Sequence, residues 1–197
     1  MLKTKSDKRS RLIRTAVKLA YRHGFRETSL ADIAEAAKVP VGNVYYYFKT
    51  KDEIGEAIVE QRLSEFRALR EQWDRAGSPK ERLQACVENT LENRDVLARG
   101  GCPFGTLCSE LHKEGGPLAE KSTALFGEPL AWIEDQFRAD GHGDDSRGFA
   151  IHLLSALQGV SVLAHGSREP ELVVMETRRR DNRIDLPIDQ PVPFHLA

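Results

Sequence analysis

Residues 28–53, TSLADIAEAAKVPVGNVYYYFKTKDE, gather the side chains best placed to do chemistry, and that chemistry is the recognition of a nucleic acid. Asn43 can hold adenine through N6 and N7, Val41 can touch a thymine methyl, and Gly42 lets a backbone approach closely. Tyr45, Tyr46 and Tyr47 carry phenolic hydroxyls on rigid arms, suited to phosphate contacts that set register. Of the three, Tyr45 is the one expected to turn its ring into the protein instead.

These residues need two short helices to present them. Leu30, Ile33, Ala34 and Ala37 recur at i, i+3, i+4 and i+7, one apolar helical face. Ser29 with Asp32 three residues on is a capping box that starts this helix. Pro40 drives Val39 out of helical geometry and ends it. A second helix from about Val41 to Phe48 buries Val44 and Phe48 at i, i+4, leaving Val41, Gly42, Asn43, Tyr46 and Tyr47 turned elsewhere. Two short helices joined by a tight turn form a helix-turn-helix, whose second helix enters the DNA major groove.

The motif resembles the DNA-binding signature of the TetR family of bacterial transcriptional repressors. The likeness covers about residues 8–60 and rests on Thr28-Ser29, Asp32-Ile33-Ala34, Val39 to Phe48 and Lys51-Asp52-Glu53-Ile54. Pro40 stands where the family has Ser or Thr, and Tyr47 where it commonly has His. The resemblance implies that Thr28 and Lys51 clamp the DNA backbone, Lys51 beside the positive end of its own helix. It also implies a homodimer paired through its last two helices, a palindromic double-stranded operator, and a small-molecule effector held among the middle helices.

The rest of the chain reads as helix throughout, an all-α protein of about nine helices. The first runs from about Ser6 to His23, with Leu12, Ile13, Ala16, Val17 and Ala20 on one face and Gly24 as its stop. Thr50 and Glu53 form a second capping box opening a long fourth helix to about Ala76. Ser78-Pro79-Lys80-Glu81 starts a fifth towards Gly100-Gly101. A short helix follows over about Pro103–Lys113. Beyond Gly115-Gly116-Pro117 comes a longer one to about Asp140, which Pro129 is expected to kink or interrupt. Two last helices run from Asp144 or Asp145 to about His165, and from Glu169 to about Ile184. Three units are expected: a DNA-binding head over 1–52, a ligand-binding and dimerisation body over 53–184, and an irregular proline-containing tail over 185–197.

For the dimer, Phe149, Leu153, Leu157 and Val160 form a stripe on the penultimate helix, joined by Leu172 and Met175 on the last. For the effector, apolar and aromatic content nominates Phe66, Trp73, Phe104, Leu107, Leu125, Phe126, Trp132 and Phe137, with Thr90, His152 and Gln158 as polar contacts. Cys102 borders the same region. The stretch Gly101 to Leu111 resembles a Gly-Cys-x-x-Gly-x-x-x-x-Glu segment that opens the sixth helix in a subset of the family. Cys102 stands at a helix start, where the macrodipole favours thiolate, so a thiol-based electrophile sensor or thiol enzyme is an alternative reading. A regulator without an effector is another.

Cys102 and Cys108 lie about 240° apart around a helix and cannot grip one metal together. The six histidines show no ligand spacing. No metal, cofactor or enzymatic activity is expected. Three cysteines make no disulfide framework and fit a reducing compartment. No run approaches the roughly 18 apolar residues of a membrane span, and the N-terminus lacks the apolar stretch of a secretory signal, so a cytoplasmic protein without a membrane partner is expected. The net charge of −1 hides an asymmetry: residues 1–51 carry twelve Lys/Arg against four Asp/Glu, and the remainder is acidic. A basic head on an acidic body is the charge footprint of DNA binding.

Overall fold

In the computed structural model, residues 5–181 are described, with side chains from 8 to 178. The expected tail over 185–197 and the end of the last expected helix lie outside the described residues. Among them the fold is eleven α-helices and one 3-10 turn, with no strand. They are α1 (Lys5–His23), α2 (Leu30–Ala36), α3 (Val41–Tyr47), α4 (Lys51–Trp73), α5 (Pro79–Glu92), α6 (Arg94–Gly100), α7 (Pro103–Glu114), α8 (Gly116–Ser122), α9 (Ala124–Ala139), α10 (Ser146–Ser167) and α11 (Glu171–Asp181), with the 3-10 turn at Gly143–Asp145 before α10.

Local chemistry sets several helix starts. The Ser29 hydroxyl accepts the Asp32 N–H while the Asp32 carboxylate accepts the Ser29 N–H at 2.8 Å, and Ser78 with Glu81 repeats the arrangement before α5. At α4 only half of the expected box forms. Thr50 accepts the Glu53 N–H, but the Glu53 carboxylate takes the Lys49 N–H at 2.7 Å instead.

Two helices expected to be continuous are each divided, which raises nine to eleven. The fifth breaks at Asn93, whose side-chain amide donates to the Asn89 carbonyl at 2.7 Å. The seventh breaks at Thr123, where the Ser122 and Thr123 hydroxyls donate to the Ala119 and Glu120 carbonyls, both at 2.7 Å, and compete with the helical ladder. Pro129 does not interrupt: it is buried within α9, and the break falls six residues earlier.

Helix α4 ties two apolar clusters together. Its Ile54 and Ile58 join Leu12, Ile33, Val44 and Phe48 of the head, and the same cluster takes in Leu107, Leu111, Leu118 and Leu125 from the body. Its Phe66 and Trp73 join Leu83, Trp132, Ile133, Phe137 and Leu157. The head's core therefore runs into α7, α8 and α9. Helix α10 packs against α6, α9 and α11. By length and composition alone the segment Gly143–Ser167 could cross a bilayer, with a mean hydropathy of 1.3; here one face of it closes the core.

Candidate nucleic-acid interface

The turn between α2 and α3 passes through Lys38 at φ 54°, with the Val39 N–H donating to the Ala34 carbonyl at 3.0 Å. A left-handed residue there closes the α2 end and aims α3 outward. Val44 and Phe48 are 0% and 2% exposed and anchor one face of α3, while the Arg9 guanidinium covers the Phe48 ring at 5.2 Å. The opposite face is presented to solvent: Val41, Gly42, Tyr45 and Tyr46 are exposed and Asn43 is half-buried. A Cβ at Gly42 would meet nothing within 4 Å, so the start of α3 has open space in front of it.

Three expected DNA contacts are placed differently. Tyr47, not Tyr45, packs against the head's core, with the Tyr46 ring edge-on to it at 5.0 Å. On a helix of 3.6 residues per turn the two positions lie about 200° apart, and the anchors Val44 and Phe48 leave Tyr47 on the inner side. Thr28 is buried, and its hydroxyl donates to the Gly24 carbonyl at 2.7 Å; it fastens the turn after α1 and does not stand free to clamp a phosphate. The Lys51 ammonium donates to the Arg26 carbonyl and lies 5.1 Å from the Phe25 ring centroid, so it too is engaged with that turn.

The same turn is held from the body. The Phe25 and Arg26 backbone N–H groups donate to the two Glu110 carboxylate oxygens of α7, at 2.9 and 2.6 Å. Glu110 was legible in the sequence only as the last residue of a resembled motif, with no role attached.

Most of the expected pocket residues form solid core. Phe66 meets Trp73 and Phe104 edge-on at 6.1 and 6.3 Å, and Trp73 meets Trp132 at 5.2 Å. The Trp132 indole N–H donates to Asp74 at 2.9 Å. Phe137 stacks on Phe149 at 5.5 Å, and Leu107 and Leu125 belong to the cluster shared with the head. The Thr90 hydroxyl turns back to its own helix, towards the Cys86 carbonyl. His152 is exposed. The structure does bring Cys102, Phe126 and Gln158 together around Gly105, where an added Cβ would lie 2.9 Å from Gln158 Oε1, 3.5 Å from Cys102 Cβ and 3.7 Å from Phe126.

Cys102 Sγ accepts the Gly105 N–H at 3.5 Å and caps α7. Burial pushes the Cys86 thiol up to about 12 and also raises that of Cys108, against a hydrogen bond from Ser122. Among the described residues no group of three His, Cys, Asp or Glu is placed to hold a metal ion.

The dimer stripe also needs correction. Leu153, Leu157 and Val160 face inward, each 5–6% exposed within a single chain, because α9 and α6 cover that side of α10. Phe149 packs on Phe137 and Leu172 against Val173's cluster. On α10 and α11 the large apolar side chains left in solvent are Ile151, Val162, Leu163 and Met175, at 47%, 69%, 63% and 63% exposure. Of the expected six, only Met175 is among them.

The described chain is thus all-helical, with an outward-facing helix-turn-helix tied by α4 and α7 to a larger helical body. Residues 12–58 match the family model for bacterial regulatory proteins of the tetR family. The chain is 30% identical over 124 residues to the HTH-type transcriptional repressor NemR of Escherichia coli K12, over 59% of this chain and 58% of that one. It is 32% identical over 124 residues to the transcriptional regulator AcuR of Cereibacter sphaeroides, over 61% and 55%. The matches thus span little more than half the length of these curated relatives. In fold the likeness is nearly complete. A TetR transcriptional regulator from Legionella pneumophila superposes with a TM-score of 0.82 at 19% identity, over 94% of this chain and all of that one. The reduced form of E. coli NemR gives 0.78 at 21%, over 92% and 99%. Residues 12–58 thus carry the DNA-binding region of the tetR-family model, and the described helices share the fold of these solved TetR regulators.

Proposed function

We propose that this protein is a ligand-responsive transcriptional regulator, a cytoplasmic repressor that binds a palindromic operator as a homodimer and lets go when a small apolar or aromatic effector enters its body. The carrying observation is the presentation of α3: Val44 and Phe48 lock it to the core while Val41, Gly42, Asn43, Tyr45 and Tyr46 face outward. Asn43 and Val41 read base edges, and Tyr45 and Tyr46 grip phosphates. Thr28 and Lys51 act one step back, by holding the turn on which the head is mounted. The exposed apolar residues of α10 and α11 pair the two chains. The effector reading is supported by the convergence of Cys102, Phe126 and Gln158 beside Phe104, at the start of the helix that carries Glu110.

Footprinting of the full chain on DNA flanking its own gene tests this. Two protected half-sites related by two-fold symmetry are expected, centred about one helical turn (roughly 34–36 Å) or a multiple of it apart. Asn43→Ala should change base preference, whereas Tyr46→Phe should weaken binding to all sequences alike. Protection without symmetry, or equal sequence-blind losses for both variants, would sink the assignment. Aromatic compounds that bind the body yet leave operator affinity unchanged would make it an effector-independent regulator.

A further inference from the structure

A groove of about 780 Å³ opens where the C-terminal half of α1 meets α4 and α6, and none of the twelve expected pocket residues lines it. We propose that this groove is a second binding site, for a phosphorylated organic anion of nucleotide type. Its volume falls within the roughly 300–1,000 Å³ of small-molecule sites. Five cations line it: Arg14, Lys18 and Arg22 from α1, Arg62 from α4 and Arg99 from α6, against a single carboxylate, Glu65. That carboxylate is already taken, since Arg62 Nη1 lies 3.0 Å from Glu65 Oε2. Among the described residues no ion pair reaches Arg14, Lys18, Arg22 or Arg99. Like charges gathered in a concavity with low-dielectric walls focus a positive potential, and guanidinium groups match phosphate bidentately.

The wall is apolar as well as charged. Val17, Tyr21, Val96 and Pro103 line the same groove, and Val96 remains 40% exposed. The Tyr21 ring is fixed. Its hydroxyl is shared between the Gly101 and Val96 carbonyls at 2.8 and 3.0 Å, and the Arg62 guanidinium lies 5.6 Å from its centroid. It lies so close to Gly100 that a Cβ there would come within 2.5 Å of the ring. A rigid aromatic wall beside four unpaired cations fits a molecule with an organic body and a phosphate end. No α3 residue lines the groove, so it is distinct from the surface that reads DNA, and it does not depend on the regulator reading.

Calorimetric titration of the full chain with ADP, at a constant ionic strength of about 150 mM, tests the site. One saturable site per chain is expected. Lys18→Glu and Arg99→Glu should each weaken it about ten-fold or more, and the milder Lys18→Gln by a smaller factor in the same direction. Lys113→Glu, on an exposed residue outside the groove, should bind ADP as the parent does. Adenosine should bind far more weakly than ADP. Absence of saturable binding up to about 1 mM ADP, or equal losses in Lys113→Glu and Arg99→Glu, would overturn the site. Inorganic tripolyphosphate binding as tightly as ADP would overturn the organic part of the assignment. If the groove variants instead lose double-stranded DNA binding while retaining ADP binding, the groove is a DNA contact and the proposal fails.

Discussion

Glu110 in α7 and Arg26 in the turn after α1 are joined by a hydrogen bond of 2.6 Å, the Arg26 backbone N–H donating to the Glu110 carboxylate. The other carboxylate oxygen takes the Phe25 N–H, and Lys51 holds the Arg26 carbonyl from the opposite side. The turn that carries the head is thereby gripped by one residue of the body and one of the connecting helix.

Replacing Glu110 by Ala should cost about 1–3 kcal/mol, because charge-assisted hydrogen bonds are lost and two backbone donors are left without their partner. Urea unfolding of Glu110→Ala and Glu110→Gln measures it, with Gln keeping part of the grip. In the proposed regulator, Glu110→Ala should also shrink the coupling between effector and operator, typically about 1–3 kcal/mol in such systems. An unchanged urea midpoint would show that the turn holds without Glu110.

Gly55 on α4 sits where Phe25 of the head and Leu118 of α8 close in. A Cβ there would lie 2.5 Å from Leu118 Cδ2 and 2.8 Å from Phe25 Cζ. Gly55→Ala should destabilise by about 1–3 kcal/mol through overpacking, against the modest helical gain of Ala over Gly. Thermal and urea unfolding decide the sign.

Leu157 and Leu163 lie on one helix at 5% and 63% exposure. Leu157→Ala should cost about 2–5 kcal/mol of stability. In the proposed homodimer, Leu163→Glu should leave the fold intact and convert dimer to monomer, read by analytical ultracentrifugation beside circular dichroism. A dimer that survives Leu163→Glu and Val162→Glu together would place the pairing surface elsewhere.

The Asp32 carboxyl is held below its ordinary value by the Ser29 hydroxyl and then by the Ser29 backbone N–H. A depressed folded-state pKa contributes stability above the unfolded value and loses it as pH falls through the folded one. Asp32→Asn should therefore lower stability at neutral pH and narrow its gap to the parent protein as pH drops below about 4. Unfolding midpoints between pH 7 and 3 follow this; a gap that widens in acid would contradict the cap's charge dependence.

Much of the head was legible in the sequence because its signals are local. Ser29 and Asp32, or Ser78, Pro79 and Glu81, need only each other to start a helix, and Val44 with Phe48 shows the inner face of α3. The groove at the head's edge was not legible. Arg14, Arg62 and Arg99 are far apart along the chain, and only the packing of α1 on α4 and α6 brings them to one concavity.

The helical class, the helix-turn-helix and the charge asymmetry of the chain follow from the residues alone, since these depend on neighbours within a turn or on composition. Which of two similar residues faces in depends instead on how the helices pack. Tyr47 packs and Tyr45 does not; Leu157 closes the core and Leu163 meets solvent. Thr28 and Lys51 turned to the chain's own backbone because its carbonyls stood within reach. Side chains of one type have one hydrophobicity, and what buries them is the arrival of a distant helix, which no local pattern records.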